Sequence, residues 1–441
     1  LKDAFRRLAG TLEAMPDVIL IKKATRWFDQ EAGGEALEIS CSIPAGLPST
    51  AGAALFLFDF AGPVSAFELE GTGLFMSDQV GPFIYLQGRH RQTHFRTRVR
   101  LPKEALRRIG VKLWNFGEPI EITELAFRTL DSRERNFYVN ISVDVEALPH
   151  RAPDNHVDTL IFGRSGGGEH GIREQMALFS GMGVPATFYL ECAQAARYGS
   201  VAIAEAGRAI LDGGFDLQLH LHAELLAEAE RWSWNRKGTI PSLENLDEAQ
   251  ARRAMGFAVA QYRAIAGNPP RAFRAGSYQF NRFTLDAGER FGIAAFSNYR
   301  SDHAAGNTYD FYRDPPVRPF RWSNGIFEFP ITISPEPLSV LSPQTVWDRI
   351  LYDVDVNGNW CATIVIHSWS FLHRNWRGHH EWRDDTLKEQ MREIIERAPA
   401  RATFVSLDQV LGLVAAGDVE ISETRNADDL IRRNPDRTMP S

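Results

Sequence analysis

The chain has 441 residues, 44% of them hydrophobic and 24% charged, which is enough for two or three domains with substantial cores. Its 49 basic and 56 acidic residues leave a net charge of -7, so no global electrostatic footprint for nucleic acid exists and none is expected as a partner. Cys41, Cys192 and Cys361 lie far apart without metal-knuckle spacing, which argues for small buried fillers and against a disulfide framework.

The opening LKDAFRRLAG predicts an amphipathic helix and carries no signal-peptide pattern. No apolar run reaches the roughly 18 residues of a transmembrane segment. Cytoplasmic residence is therefore favoured, although the chain does not begin with Met and a leader removed before Leu1 would make it an exported protein.

From residue 1 to about 130 the segments ALEISCSI, ALFLFDFAG, VSAFELEG, GPFIYLQG, THFRTRVRL, GVKLWNFG and IEITELAFRTL are short, alternating and separated by Gly or Pro. That pattern predicts an all-β sandwich over 1–130, with Phe56, Phe58, Phe67, Leu69, Phe95 and Val99 between its layers. Trp27, Trp114 and Tyr85 are candidates to stack on a sugar, although such residues are more often core or interface.

DSRERN, residues 131–136, is a charged break and a plausible domain boundary. Beyond it strands and helices alternate: FYVNISVDV, GIREQMALFSGMG, VPATFYL, AQAARYGSVAIAEAGRAILDGG, FDLQLHLH, a helix from about Asn245 to Ile265, then RAFRAG. IAAFSNY, IFEFPITI, CATIVIHS, the helix DDTLKEQMREIIERA and ATFVSL follow. The expected fold class is multidomain α/β, a C-terminal (β/α) barrel over about 137–412, irregular with seven or eight strands, preceded by the sandwich. Residues 421–441, rich in Asn, Asp, Arg and Pro, read as a flexible tail. The Gly run GRSGGGEHG fits neither a P-loop nor a dinucleotide fingerprint, so its Glu169 and His170 belong to a solvated loop sooner than to a site.

Chemistry concentrates at strand ends. Asp144 and Glu146 end the first barrel strand, His220 and His222 the third, Arg274 the fourth and His367 the penultimate one. In a barrel the same ends of different strands converge. His220 and His222 alternate with Leu219 and Leu221, so both imidazoles lie on one side of the strand. With a carboxylate from a neighbouring strand they make a two-His, one-acid set of the kind that holds zinc or another divalent ion. A lone HxH is equally a pair of hydrogen-bonded core histidines; the acid pair on another strand end favours the metal.

SVDVEA, HLHAE, RAGSY and IVIHSW, in that order over roughly 137–410, resemble the motifs of the polysaccharide deacetylase family, the carbohydrate esterases with a NodB homology domain. The resemblance implies Asp144 as general base, Glu146 as metal ligand, Arg274 as the residue orienting the base, and His367 as general acid. The sandwich lies outside it. Two departures stand out: Val145 separates acids that are usually adjacent, and Glu224 stands where the usual HxxxH motif has its second histidine. Either His222 or Glu224 supplies that ligand, with His222 preferred because the strand projects it beside His220.

What the resemblance implies is one divalent ion, zinc first, held by Glu146, His220 and His222, and removal of an acetyl group from an N- or O-acetylated polysaccharide or oligosaccharide. Asp144 would take a proton from water and be kept ionised by a bidentate Arg274. The oxyanion would meet the backbone after Gly183 or near Tyr278, and His367 would protonate the departing group. Trp232, Trp234, Trp369, Phe371, Trp376 and Trp382 would wall a sugar site, and His373, Arg374, Arg377, His379 and His380 would meet an anionic glycan. The alternatives are a glycan-binding protein without catalysis and a metal-dependent amide hydrolase of a small substrate.

Overall fold

A computed structural model of the protein describes residues 18–21, 25–32, 35–42, 53–69, 72, 74–79, 81–87, 94–114, 120–165, 167–227, 242–299, 317–336, 338–339 and 341–430. It divides into two compact units, the described residues up to Arg133 and those from Glu134 onward.

The first unit is two antiparallel sheets. One runs in the order Val18–Ile21, Ile120–Leu130, Ala36–Ser42, His94–Arg100; the other runs Arg26–Ala32, Leu106–Trp114, Ala53–Phe60, Gly81–Gln87, Phe75–Ser77. Alternation explains how they meet: Leu37, Ile39 and Cys41 from one sheet and Phe56, Phe58 and Phe60 from the other are all buried in one cluster. VSAFELEG is not a strand. Residues 66–69 form a turn, because the Ser65 N–H donates to Glu68 Oε2 at 2.6 Å and the Glu68 N–H to Ser65 Oγ at 3.3 Å. Such local bonds compete with a sheet ladder. Leu69 is still buried, but Phe67 is 82% exposed and lies outside the core. The side chains of Phe95, Tyr85 and Trp114 lie outside the described residues, as does the helix expected at the start of the chain.

In the second unit Phe137–Val145 pairs in parallel with Cys361–His367 on one side and Ala186–Glu191 on the other, while Ala402–Phe404 pairs with its first residues. Asp216–Leu221, Ala272–Ala275, Ala295–Phe296 and Phe327–Glu328 continue the parallel sheet. The chain after Phe327–Glu328 then returns to Cys361–His367 through a parallel bridge between Ile333 and Ile364. The result is a distorted α/β barrel of seven positions, closed at a single bridge.

Strand alternation sorts the two faces of this sheet. Val139, Ile141 and Val143 are completely buried on one. On the other, polar groups satisfy each other across strands: Asn140 donates to Thr187 Oγ1, Thr187 to Asp216, and Arg274 to Ser142. The expected long helix after Ala193 is two, Ala195–Tyr198 and Ser200–Asp212, broken at Gly199 with φ +86°. The helix Glu248–Ala266 starts at an Asp247–Gln250 capping box. The tail is corrected in its first part: Thr424–Arg425 pairs with Phe320–Trp322, and Ile421, Ala427 and Leu430 are buried, whereas 431–441 lie outside the described residues. All three cysteines are buried and free. Among the described residues no helix is long and apolar enough to cross a membrane.

Candidate metal centre and its surroundings

The register of the barrel strands brings the chemistry to one level. Asp144 stands opposite His367, Glu191 opposite His220, and His220 opposite Arg274. All lie at the carboxyl ends of their strands, where an α/β barrel carries its site.

Glu146, His220 and His222 are buried, and one ligand atom from each falls within 4.8 Å of the others. Both imidazoles turn Nε2 toward Glu146 Oε2, at 3.1 Å from His220 and 2.6 Å from His222. Both also have Nδ1 committed elsewhere. His220 Nδ1 lies 2.9 Å from the Arg274 carbonyl oxygen, and His222 Nδ1 lies 2.5 Å from Glu224 Oε1. Each of those partners only accepts, so each Nδ1 carries a proton and each Nε2 is left to bind. Glu224 therefore stands behind His222, orienting it, rather than beside it as a ligand. Burial alone would raise the Glu146 carboxyl, but the two histidines hold it well below its ordinary range. His222 responds in the opposite sense: burial opposes its positive form, while Glu146 and Glu224 raise its pKa well above the usual imidazole value. The potential at this point favours a cation, and two imidazoles with one carboxylate fit a divalent ion.

Two buried groups absent from the sequence reading fix this arrangement. Glu191, at the end of Ala186–Glu191, accepts the backbone N–H of Ala193 at 2.6 Å and that of His222, which pins the chain at the second histidine. The signal was available, since Glu191 is an acid ending an apolar strand like Asp144. Gly276, just past Arg274, faces the His222 ring so closely that a Cβ there would stand 2.5 Å from it. Ser277 and Tyr278 follow with φ of 52° and 57°, two consecutive non-glycine residues in the left-handed region. Strain of this kind concentrates at functional sites.

Arg274 is fully buried and reaches Asp144, but not in the expected bidentate way. Only Nη1 contacts Oδ1, at 2.7 Å, while the other N–H groups go to Ser142 Oγ, Ser297 Oγ and the Ser297 carbonyl. The guanidinium is shared between the strand Phe137–Val145 and Ser297, and Asp144 Oδ2 has no protein donor among the described residues.

His367 donates from Nδ1 to Glu336, whose other oxygen accepts the His367 backbone N–H at 2.9 Å. Its Nε2 stands 3.6 Å from Glu146 Oε1, and its ring stacks on Trp369 at 4.7 Å. Burial disfavours the charged ring, but Glu336 raises its pKa to about 9. Glu336 sits in the irregular SPEP stretch after the Ile333 bridge, where no strand period marks it.

Other candidates fall away from the centre. Gly183 precedes Ala186–Glu191 and so lies at the amino end of that strand, opposite the site; it cannot serve an oxyanion there. Glu169 and His170 are engaged by Arg164 and Glu174. Trp232 and Trp234 lie outside the described residues. Trp369 and Phe371 are buried, whereas Trp376 and Trp382 are 86% and 53% exposed. In the sandwich, Trp27 is 40% exposed, but Arg108 lies over its ring at 4.5 Å and takes a face that a sugar would use.

No protein-family model and no curated protein match this chain. Solved structures do resemble it. A candidate polysaccharide deacetylase from Mycobacterium smegmatis is 17% identical, with a TM-score of 0.42, over 67% of this chain and 97% of that one. A family 4 carbohydrate esterase from Streptomyces lividans, solved with acetate, is 12% identical with a TM-score of 0.33 over 60% and 88%. A family 4 pseudoenzyme from Bacillus anthracis is 10% identical with a TM-score of 0.32 over 68% and 67%.

Proposed function

We propose that the α/β unit is a metal-dependent deacetylase of an acetylated glycan, with zinc as its ion. The observation that carries this reading is the paired commitment of both Nδ1 atoms, which leaves His220 and His222 Nε2 converging with Glu146 on one point. A divalent ion held there would supply Lewis acidity toward an acyl carbonyl and toward water.

The chain supplies the rest. Asp144 is held through Oδ1 by the Arg274 guanidinium and offers Oδ2 to take the proton of an attacking water. His367, oriented by Glu336 and next to Asp144 across the sheet, gives a proton to the departing amine or hydroxyl from Nε2. An acid and a base beside one cationic point are what hydrolysis of an acetamide or acetate ester requires.

The test is acetate release from a panel of N-acetylated and O-acetylated glycans with added zinc, read beside metal content. Asp144→Asn should lower turnover by a factor of about 10² to 10⁴ while leaving the bound metal in place. His220→Ala should lose the metal. Undiminished release by Asp144→Asn, or equal metal content in His220→Ala, defeats the assignment.

A further inference from the structure

Next to His367 is a group of two arginines and a histidine that the proposed reaction does not use. Trp369, which stacks on His367, has the Arg151 guanidinium carbon 5.0 Å from its ring centroid and the His380 ring 5.6 Å away. His380 lies on a hairpin formed by Leu372–Arg374 and His380–Arg383, opposite Arg374. Among the described residues neither Arg151 nor Arg374 has a carboxylate partner. Several other arginines of this unit are matched: Arg164 by Asp158 and Glu169, Arg383 by Glu174 and Asp385, Arg401 by Asp355.

Two polar atoms here are buried without a partner, Arg151 Nε and His380 Nδ1. His380 is only 6% exposed, so its orphaned nitrogen belongs to a residue held inside the structure. Burial drives its pKa down to about 3, and the Arg151 and Arg374 guanidiniums push the same way, while a hydrogen bond to the Arg151 backbone opposes them. A neutral imidazole with two unmatched guanidiniums beside it leaves uncompensated positive charge, and leaving the buried Arg151 Nε without an acceptor is costly. An anion from outside the chain would complete the group. Guanidinium forks favour carboxylate geometry. The same hairpin exposes Trp376 and Trp382, each with one face already covered, by Arg377 at 4.8 Å and by His373 at 5.3 Å.

We propose that Arg151, Arg374 and His380 form a carboxylate-recognition subsite beside His367, which selects a glycan carrying a uronate residue next to the acetylated sugar. The proposal rests on the glycan reading above and names the charge its substrate carries.

Binding is measured calorimetrically on Asp144→Asn protein, so that turnover does not enter. The probes are oligogalacturonate and oligomannuronate, each compared with its carboxyl-reduced form. At least one uronate chain should bind about tenfold or more tightly than its reduced form, as charge-assisted bonds allow. That preference should fall away when Arg151→Gln and Arg374→Gln are added together, and persist with Arg208→Gln on the helix Ser200–Asp212. Arg374 is exposed, so Arg374→Gln alone keeps the test valid if the double change disturbs folding. Equal affinity for uronate and reduced chains, a preference that survives both variants, or no binding of either uronate chain overturns the subsite. Absence of acetate release in the earlier assay would count against the reaction and leave this readout intact.

Discussion

An imidazole becomes useful when one nitrogen is fixed so that the other has a single task. His220 and His222 are fixed by a carbonyl and by Glu224; His367 is fixed by Glu336, with Nε2 left facing the metal centre. Glu336 touches no reacting atom in the proposed mechanism, so it is a positioning residue, and the geometry predicts how that shows. Glu336→Gln keeps the shape but allows the ring to turn, and should cut kcat by about 10- to 100-fold with little change in KM. Placed on His367→Ala, the same change should cost nothing further, because residues that act as a unit are not additive. Steady-state kinetics of the two single variants and the double decide it. An undiminished penalty in the His367→Ala background would show that Glu336 supports the fold generally.

At the scale of elements, the turn after Ala272–Ala275 matters as much as the strand. Gly276 lies against the His222 ring, and Gly276→Ala would force that ring aside, because real Cβ contacts do not reach 2.5 Å. The expected result is a metal affinity lower by about 10- to 100-fold with the fold retained, as for other losses of ligand orientation. Chelator-competition titration with circular dichroism as a fold control checks it; unchanged affinity would mean that the ring moves without consequence. The strand ends were legible in sequence because alternation and apolar runs mark them, and Asp144, Glu146, His220, His222, Arg274 and His367 each end or closely follow such a strand. What alternation does not encode stayed hidden. Glu336 comes from an irregular segment, the single-point contact of Arg274 depends on Ser142 and Ser297 sharing its donors, and Phe67 was lost to a local turn at Ser65 and Glu68.

For the whole molecule, the two units differ in what a metal ion can do for them. Among the described residues every candidate ligand lies in the α/β unit, on strands Phe137–Val145 and Asp216–Leu221 or immediately after them. An ion that binds only the folded state stabilises it by about 2.7 kcal/mol at one hundred times its dissociation constant, which slows exchange through unfolding by roughly a hundredfold. Hydrogen exchange should therefore slow on zinc addition in peptides covering 137–146, 216–222 and 272–278. Peptides covering 36–42 and 53–60, the centre of the sandwich core, should be unaffected. His220→Ala should remove the difference in the first group by removing the ligand. Equal protection in both units, or protection that persists in His220→Ala, would place the ion elsewhere in the chain and separate the cluster at Glu146 from the metal dependence altogether.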